Sequence, residues 1–172
     1  MKLLIKIISS VLILSAILAS VISCNDKPTY EEVTYSENGL TLKLRSNMRR
    51  SYVEGYDFYF SNLAIVLTAT KFDAEFLTSQ GVSADIDAQG YTEEYIKRRE
   101  LDKEMIYYLA EPEYNRYSFR YTYVQDGSEL FLYIVIIGGP GNLWYVEVCC
   151  DQEDSEIYLP EFETWRKNIK ES

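Results

Sequence analysis

Three consecutive segments in the second half of the chain have the residue patterns of long β-strands, and they restrict the fold more than any other feature. Residues 130–137 are apolar throughout, as in a strand covered on both faces, and residues 143–150 form a further strand that returns beside it. Residues 115–125 instead alternate, which predicts four aromatic side chains on one face: Tyr117, Phe119, Tyr121 and Tyr123. Asp126-Gly127 and residues 138–142 supply tight turns between the segments. The sequence therefore predicts the centre of an antiparallel sheet.

Earlier segments predict further strands. Asn38-Gly39, a dipeptide suited to positive φ angles, separates two short alternating runs at residues 33–35 and 40–44, which is typical of a β-hairpin. Residues 56–60 and 64–70 have the composition of two more strands, the second apolar on both faces. We therefore expect about six to seven antiparallel strands in one sheet.

Helices are predicted at separate places along the chain. Thr92 is a plausible N-cap for a helix that runs to about Lys103, after a polar surface loop at residues 78–90. A helical turn is expected at residues 73–77, and a C-terminal helix capped by Asp154 or Ser155. Because strands and helices do not alternate as βαβ units, the fold class is α+β, an antiparallel sheet flanked by helices.

The N-terminus has the pattern of an export signal. Lys2 and Lys6 precede an apolar run at residues 7–22, and no acid occurs before Asp26. The run ends Val-Ile-Ser-Cys at residues 21–24, which resembles the bacterial lipobox. The resemblance implies cleavage between Ser23 and Cys24 and attachment of lipid to the Cys24 thiol.

Two other interpretations of this segment remain open. Residues 3–22 are about long enough to span a bilayer as an uncleaved helix, and cleavage elsewhere would leave Cys24 free. Lipidation is the favoured interpretation, with the chain anchored on the outer side of the cytoplasmic membrane or at an outer membrane. It divides the chain into a signal at residues 1–23, a lipidated cysteine and tether at 24–32, and one domain at 33–172.

Charge and composition exclude several classes of function. The signal holds two of the 17 lysine and arginine residues and none of the 27 acids, so the rest of the chain has a formal charge of −12. Phosphate binding needs a basic surface, so no nucleic-acid partner is expected. The chain has no histidine, which removes Ser-His and Cys-His chemistry. Neighbouring acids such as Glu111 with Glu113 and Glu93 with Glu94 arise by chance among 27 acids, so we expect no catalytic residues and no enzyme.

No metal or cofactor site is predicted. Asp85, Asp87 and Gly90 match the first half of an EF-hand loop, but Ile96 stands where the bidentate glutamate is required. Cys149-Cys150 are neighbours on a predicted strand, where successive side chains point to opposite faces. We interpret them as small apolar residues, with a strained vicinal disulfide or an intermolecular bridge as alternatives.

The order of the elements resembles the PsbP-like family. The similar segments are residues 38–42 (Asn-Gly-Leu-Thr-Leu), 92–95 (Thr-Glu-Glu-Tyr), 143–148 (Leu-Trp-Tyr-Val-Glu-Val) and 162–170. The resemblance implies an α/β/α sandwich over about residues 33–171, no shared catalytic residues, and function through binding other proteins.

A membrane-anchored, non-enzymatic protein-interaction module is therefore the first functional hypothesis. The alternative is a small-ligand or glycan binder that uses exposed aromatics, since the chain has 16 tyrosines. The aromatic row from Tyr117 to Tyr123 is expected to face the core, and would be the binding surface if that face were open. A hydrolase is a distant third.

Overall fold

The computed structural model of the chain describes residues 30–102, 104 and 106–171. Contacts divide the chain into two units, Met1–Glu31 and Glu32–Ser172, and all the helices and strands given below belong to the second. The predicted signal at residues 1–23 and the lipidation of Cys24 lie outside the described residues, as does most of the tether. Within the described residues, no helix is long and apolar enough to cross a membrane.

The larger of two sheets has seven antiparallel strands. The strands are β3 (Arg49–Ser51), β4 (Phe58–Ser61), β5 (Val66–Phe72), β6 (Tyr107–Glu111), β7 (Arg116–Gln125), β8 (Ser128–Ile137) and β9 (Leu143–Asp151). Their spatial order is β3-β4-β5-β9-β8-β7-β6. The three long strands β7, β8 and β9 are adjacent, as the sequence predicts, and the α+β antiparallel fold class is confirmed.

A second, three-stranded sheet contains the opening hairpin. It has the order β1-β2-β10, with β1 at Glu32–Glu37, β2 at Leu40–Arg45 and β10 at Lys170–Glu171. Asn38 and Gly39 have φ angles of 55° and 90°, which confirms the predicted turn. The predicted hairpin is therefore not part of the seven-stranded sheet. The three leucines of β2 are buried against the face of the large sheet, so the hairpin covers that sheet and does not extend it.

In the part of the chain that the structure describes, three α-helices flank the large sheet: α1 (Ala74–Ser79), α2 (Ala88–Arg98) and α3 (Ser155–Asn168). The start predicted for α2 is wrong. Asp87 caps it, with its carboxylate accepting from the Gly90 amide at 2.8 Å, while Thr92 is buried one turn further on and donates to the Ala88 carbonyl at 2.7 Å. The helix also ends before Lys103, because the chain turns through a left-handed residue at Glu100. The C-terminal helix begins as predicted, after Asp154.

Each face of the large sheet has its own apolar core. On one face, α3 and β2 pack over β4, β5, β8 and β9, with Trp144 fully buried at the centre. On the other face, α1 and α2 pack over β7, β8 and the start of β9. This arrangement is a layered sandwich in which the sheet lies between helices, as the sequence resemblance implies.

The two neighbouring cysteines belong to different cores. Cys150 is buried among the residues under α3, while Cys149 is half-buried on the opposite face, and both are free thiols. Both side chains thus pack against apolar residues, as the interpretation as small apolar residues predicts.

Candidate functional site

The aromatic row of β7 is covered along only part of its length. Tyr117, Phe119 and Tyr121 are buried under α2, which confirms the prediction for them. Tyr123 is 43% exposed, so its predicted place in the core is wrong. The reason is the length of the helix: α2 ends at Arg98, and the sheet continues beyond it.

A groove lies on the sheet where α2 stops. We call it the tyrosine groove, because five tyrosines border it: Tyr56, Tyr59, Tyr95, Tyr121 and Tyr123. Its volume is about 430 Å³, within the range of small-molecule sites, roughly 300 to 1,000 Å³. Tyr59 comes from β4 and Tyr121 from β7, with β5, β9 and β8 between them, so the middle strands form the floor.

A hydrogen-bonded chain of tyrosines connects the floor to the helix. Tyr145 donates to Glu147 Oε2 at 2.5 Å, and its hydroxyl oxygen lies 3.2 Å from that of Tyr95. The Tyr95 hydroxyl in turn lies 3.1 Å from the Tyr121 hydroxyl. Burial raises the pKa of Tyr121 and of Tyr145 well above the ordinary value, with help from the Tyr95 hydroxyl and the Glu147 charge. The hydroxyls of Tyr121 and Tyr145 therefore remain neutral donors and acceptors at physiological pH.

Two charged side chains line the same groove. Glu147 is half-buried on β9, and within the described residues it forms no ion pair, while its Oε1 has no hydrogen-bond partner. Arg99 is exposed just after α2, with its guanidinium carbon 5.6 Å from the centre of the Tyr95 ring, a cation–π contact. The groove thus offers an acceptor at its floor and a donor near the end of the helix.

Cys149 lies in the floor beside Glu147. Burial raises the pKa of the Cys149 thiol to about 11, assisted by the charges of Glu147 and Asp151. The thiolate is the reactive form, so Cys149 is a poor nucleophile at neutral pH and makes no catalytic site with Glu147.

We expect Cys149 to react with iodoacetamide at pH 8 about a hundredfold more slowly than an unperturbed thiol, because its thiolate fraction is lower by about that factor. The rate should rise steeply as the pH approaches 11. Mass spectrometry of the native chain would measure it. The matched control is Cys149→Ser, in which the peptide that contains the buried Cys150 should remain unlabelled until unfolding. Rapid labelling at pH 8 would contradict the assignment.

A second feature is the outer edge of β6. The edge pocket beside it has a volume of about 430 Å³ and lies between β6 and α2. It is bordered mainly by apolar groups of Ile96, Ile106, Tyr108, Ala110, Pro112 and Tyr117. Tyr117 donates to Gln89 Oε1 at 3.3 Å across its floor. Within the described part of the chain, no strand pairs with this edge of β6.

A buried ion cluster fixes α3 to the sheet. We use this name for Glu111, Arg116, Glu163 and Arg166. Arg166 contacts Glu111 and donates to Glu163 Oε2 at 3.1 Å, and Arg116 donates to Glu111 Oε2 at 2.7 Å. Arg116 also donates to the carbonyls of Arg166 and Ile169 at 2.9 and 3.2 Å, which caps the end of α3. Burial alone would raise the pKa of Glu111, but the hydrogen bond and charge of Arg116, with the charge of Arg166, lower it.

The structure shows where the candidate residues from the sequence analysis lie. Asp87 is used as the cap of α2 and Ile96 is buried beneath that helix, so the partial EF-hand match does not form a loop of ligands. Among the residues that the structure describes, no group of three or more cysteines and acids is placed to hold a metal ion. Glu111 belongs to the ion cluster, and Glu94 pairs with Arg98 at 2.6 Å. None of these acids lies in the tyrosine groove.

Sequence reasoning missed the groove as a unit. Tyr56, Tyr59, Tyr95 and Glu147 are dispersed over more than ninety positions, and nothing local connects them. The one available signal was the alternation of β9, which places Tyr145, Glu147 and Cys149 on the same face.

Comparison by sequence found no match: no known family profile fits the chain, and no curated protein is significantly similar to it. Comparison by structure did find similar folds. Cyanobacterial PsbP (CyanoP) from Synechocystis sp. PCC 6803 is 11% identical, with a TM-score of 0.48, and the match covers 87% of this chain and 97% of CyanoP.

Two further structures are similar in the same way. A Bacteroides thetaiotaomicron protein has a TM-score of 0.50 at 8% identity, over 84% of this chain and 49% of that protein. LpqN of Mycobacterium tuberculosis, involved in cell envelope biogenesis, has a TM-score of 0.43 at 10% identity, over 83% of this chain and 91% of LpqN. At such low identity the similarity concerns the fold alone.

Proposed function

We propose that this chain is a lipid-anchored protein of the bacterial cell envelope whose α+β domain is a non-enzymatic module for binding another protein. The anchoring rests on the lipobox at residues 21–24, and the lack of catalysis on a sequence without histidine. The protein-binding role rests on one observation, the unprotected edge of β6.

The other sheet edges have features that prevent further pairing. β3 is only three residues long and carries Arg49 and Arg50, and β10 has two residues. β1 has a glutamate at each end. Short length and charge are the usual protection of an exposed edge, because unpaired backbone groups otherwise recruit another strand.

β6 lacks this protection, because it has five residues and only the last of them, Glu111, is charged. Its sequence is Tyr-Tyr-Leu-Ala-Glu, and its first two residues are exposed. The edge pocket lies beside it, on the face that carries Tyr108 and Ala110. A free edge gives main-chain hydrogen bonds to an extended peptide, and a neighbouring pocket accepts one of its side chains. The partner we propose is an extended protein segment with an apolar side chain for the edge pocket. The formal charge of −12 outside the signal favours a neutral or basic segment.

Photo-crosslinking from the edge tests this role. With benzoylphenylalanine in place of Tyr107 in the full chain in its native membrane, we expect one discrete crosslinked protein. The same residue at Ile157, which is exposed on α3, is the control and should not give that product. Adding Ala110→Lys should reduce the yield about tenfold or more, because it places a charge at the edge and in the pocket. Equal products at both positions, or no effect of the lysine, would contradict the proposal.

A further inference from the structure

We propose that the tyrosine groove is a binding site for a neutral saccharide. The site is separate from the β6 edge, since the two share no bordering residue. It therefore goes beyond the protein-binding role and does not depend on it.

The tyrosines on both sides of the groove favour a ligand with its own flat apolar surface. Tyr56 and Tyr59, 6.1 Å apart between ring centres, stand on the β4 side, and Tyr121 and Tyr123 stand on the β7 side. Tyrosine combines a broad apolar face with a hydroxyl that hydrogen-bonds, at a small cost in conformational entropy. A sugar ring presents C–H groups on its faces and hydroxyls around its rim, so it satisfies both parts of such a side chain.

The polar groups argue against other small ligands. A wholly apolar ligand would cover the half-buried Glu147 and leave its Oε1 without a donor, which is unfavourable. A sugar hydroxyl supplies that donor. An anionic polymer is disfavoured by the charge of −12 outside the signal. A cationic ligand would meet Arg99, whose positive charge already lies over the Tyr95 ring.

The hydrogen-bonded tyrosine hydroxyls contribute to this chemistry. Tyr95 and Tyr121 border the groove, and their hydroxyls lie 3.1 Å apart. Because burial keeps the pKa of Tyr121 high, its hydroxyl remains protonated over the whole physiological range. Arg99 and Gln125, also at the groove, add donors. Sugar hydroxyls both donate and accept hydrogen bonds, and the groove provides donors and acceptors for them.

Saccharide titration of the full chain tests the site. The protein is extracted in a zwitterionic detergent, because the sugar headgroup of a maltoside would compete. Maltotriose, cellotriose and chitotriose are the probes, and ligand-observed NMR measures their binding. We expect saturable binding of at least one trisaccharide, and slower iodoacetamide labelling of Cys149 at the same concentrations, because that thiol lies in the groove floor.

Substitutions of groove residues test whether the saccharide binds in the tyrosine groove. Glu147→Gln keeps the shape of the side chain and should weaken binding about tenfold or more, as should Tyr123→Ala. Tyr56→Ala tests the opposite side, and both of these tyrosines are exposed enough for the fold to tolerate the change. The control is Tyr52→Ala, because Tyr52 is 93% exposed and does not border the groove. Thermal unfolding of each variant shows whether it is folded.

Three results would overturn the inference. One is that none of the three trisaccharides binds saturably, and another is that binding leaves the labelling of Cys149 unchanged. The third is that Tyr52→Ala weakens saccharide binding as much as the groove substitutions do. A protein crosslinked from position 123 in the absence of saccharide binding would assign the groove to a protein interface and also overturn it. Crosslinking from Tyr107 is measured separately, so failure of either proposal leaves the other standing.

Discussion

Replacing Cys24 with alanine is expected to remove the chain from its lipid anchor. The variant should be recovered either as soluble protein or as an unprocessed precursor held by residues 1–23, and the mature lipidated form should be absent. The physical reason is that burial of acyl chains stabilises membrane attachment by about 0.8 kcal/mol per CH₂, so two or three chains hold a protein where none would. Fractionation of cells and mass spectrometry of the N-terminus would measure both effects.

Cys149→Ala is the matched control for this experiment. It also removes a thiol, but one on β9, so processing and membrane association should be unchanged. In the parent chain, mass spectrometry should place the new N-terminus at Cys24, directly after Ser23. If the Cys24→Ala chain were processed and retained like the parent, the lipobox interpretation would be wrong.

Arg166→Ala is expected to cause the largest loss of stability among single substitutions in the ion cluster, about 3 kcal/mol. Its side chain is 3% exposed and joins Glu111 to Glu163. Its removal leaves two partly buried carboxylates without a shared counter-charge and opens a space beside the end of α3. Urea unfolding of the full chain, with the free energy extrapolated to water, would measure the loss.

Lys97→Ala is the matched control, because it also removes a cation from an ion pair on a helix. Lys97 is 80% exposed and lies 3.6 Å from Glu94, so we expect a change below about 0.5 kcal/mol. Adding Glu163→Gln to Arg166→Ala should recover part of the lost stability, because Glu111 keeps its ion pair with Arg116 while the Glu163 carboxylate loses its counter-charge. Equal losses for Arg166→Ala and Lys97→Ala would contradict the role of the cluster.

The cluster also has a predictable response to acid. The arginines lower the pKa of Glu111 in the folded chain, so the folded state favours its ionised form more than the unfolded state does. That stabilisation is fully present above the ordinary carboxyl pKa and is lost as the pH falls through the lowered value. In Arg166→Ala, part of the stabilisation is already absent, so acid should destabilise the variant less steeply than the parent.

Elements with strong local patterns were predictable, and elements with weak ones were not. β7, β8 and β9 follow from a long alternation and two apolar runs, separated by turn residues. β6 was missed because its five residues are followed directly by Pro112, and β10 because it has only two. The start of α2 was misplaced because Gly90, which favours a loop in sequence, lies inside the first turn of the helix.

The sequence by itself determined the α+β class and the long strands and predicted the export and anchoring signal, because each depends on neighbouring residues or on a short period. The tertiary structure alone decided the two candidate binding sites. The tyrosine groove exists because β4, α2 and β7 converge on one sheet face and α2 ends before covering it. The ion cluster likewise joins Glu111 to Arg166, 55 residues away. Such contacts depend on strand order and helix length, and no periodicity of a single segment encodes which distant segment it will meet.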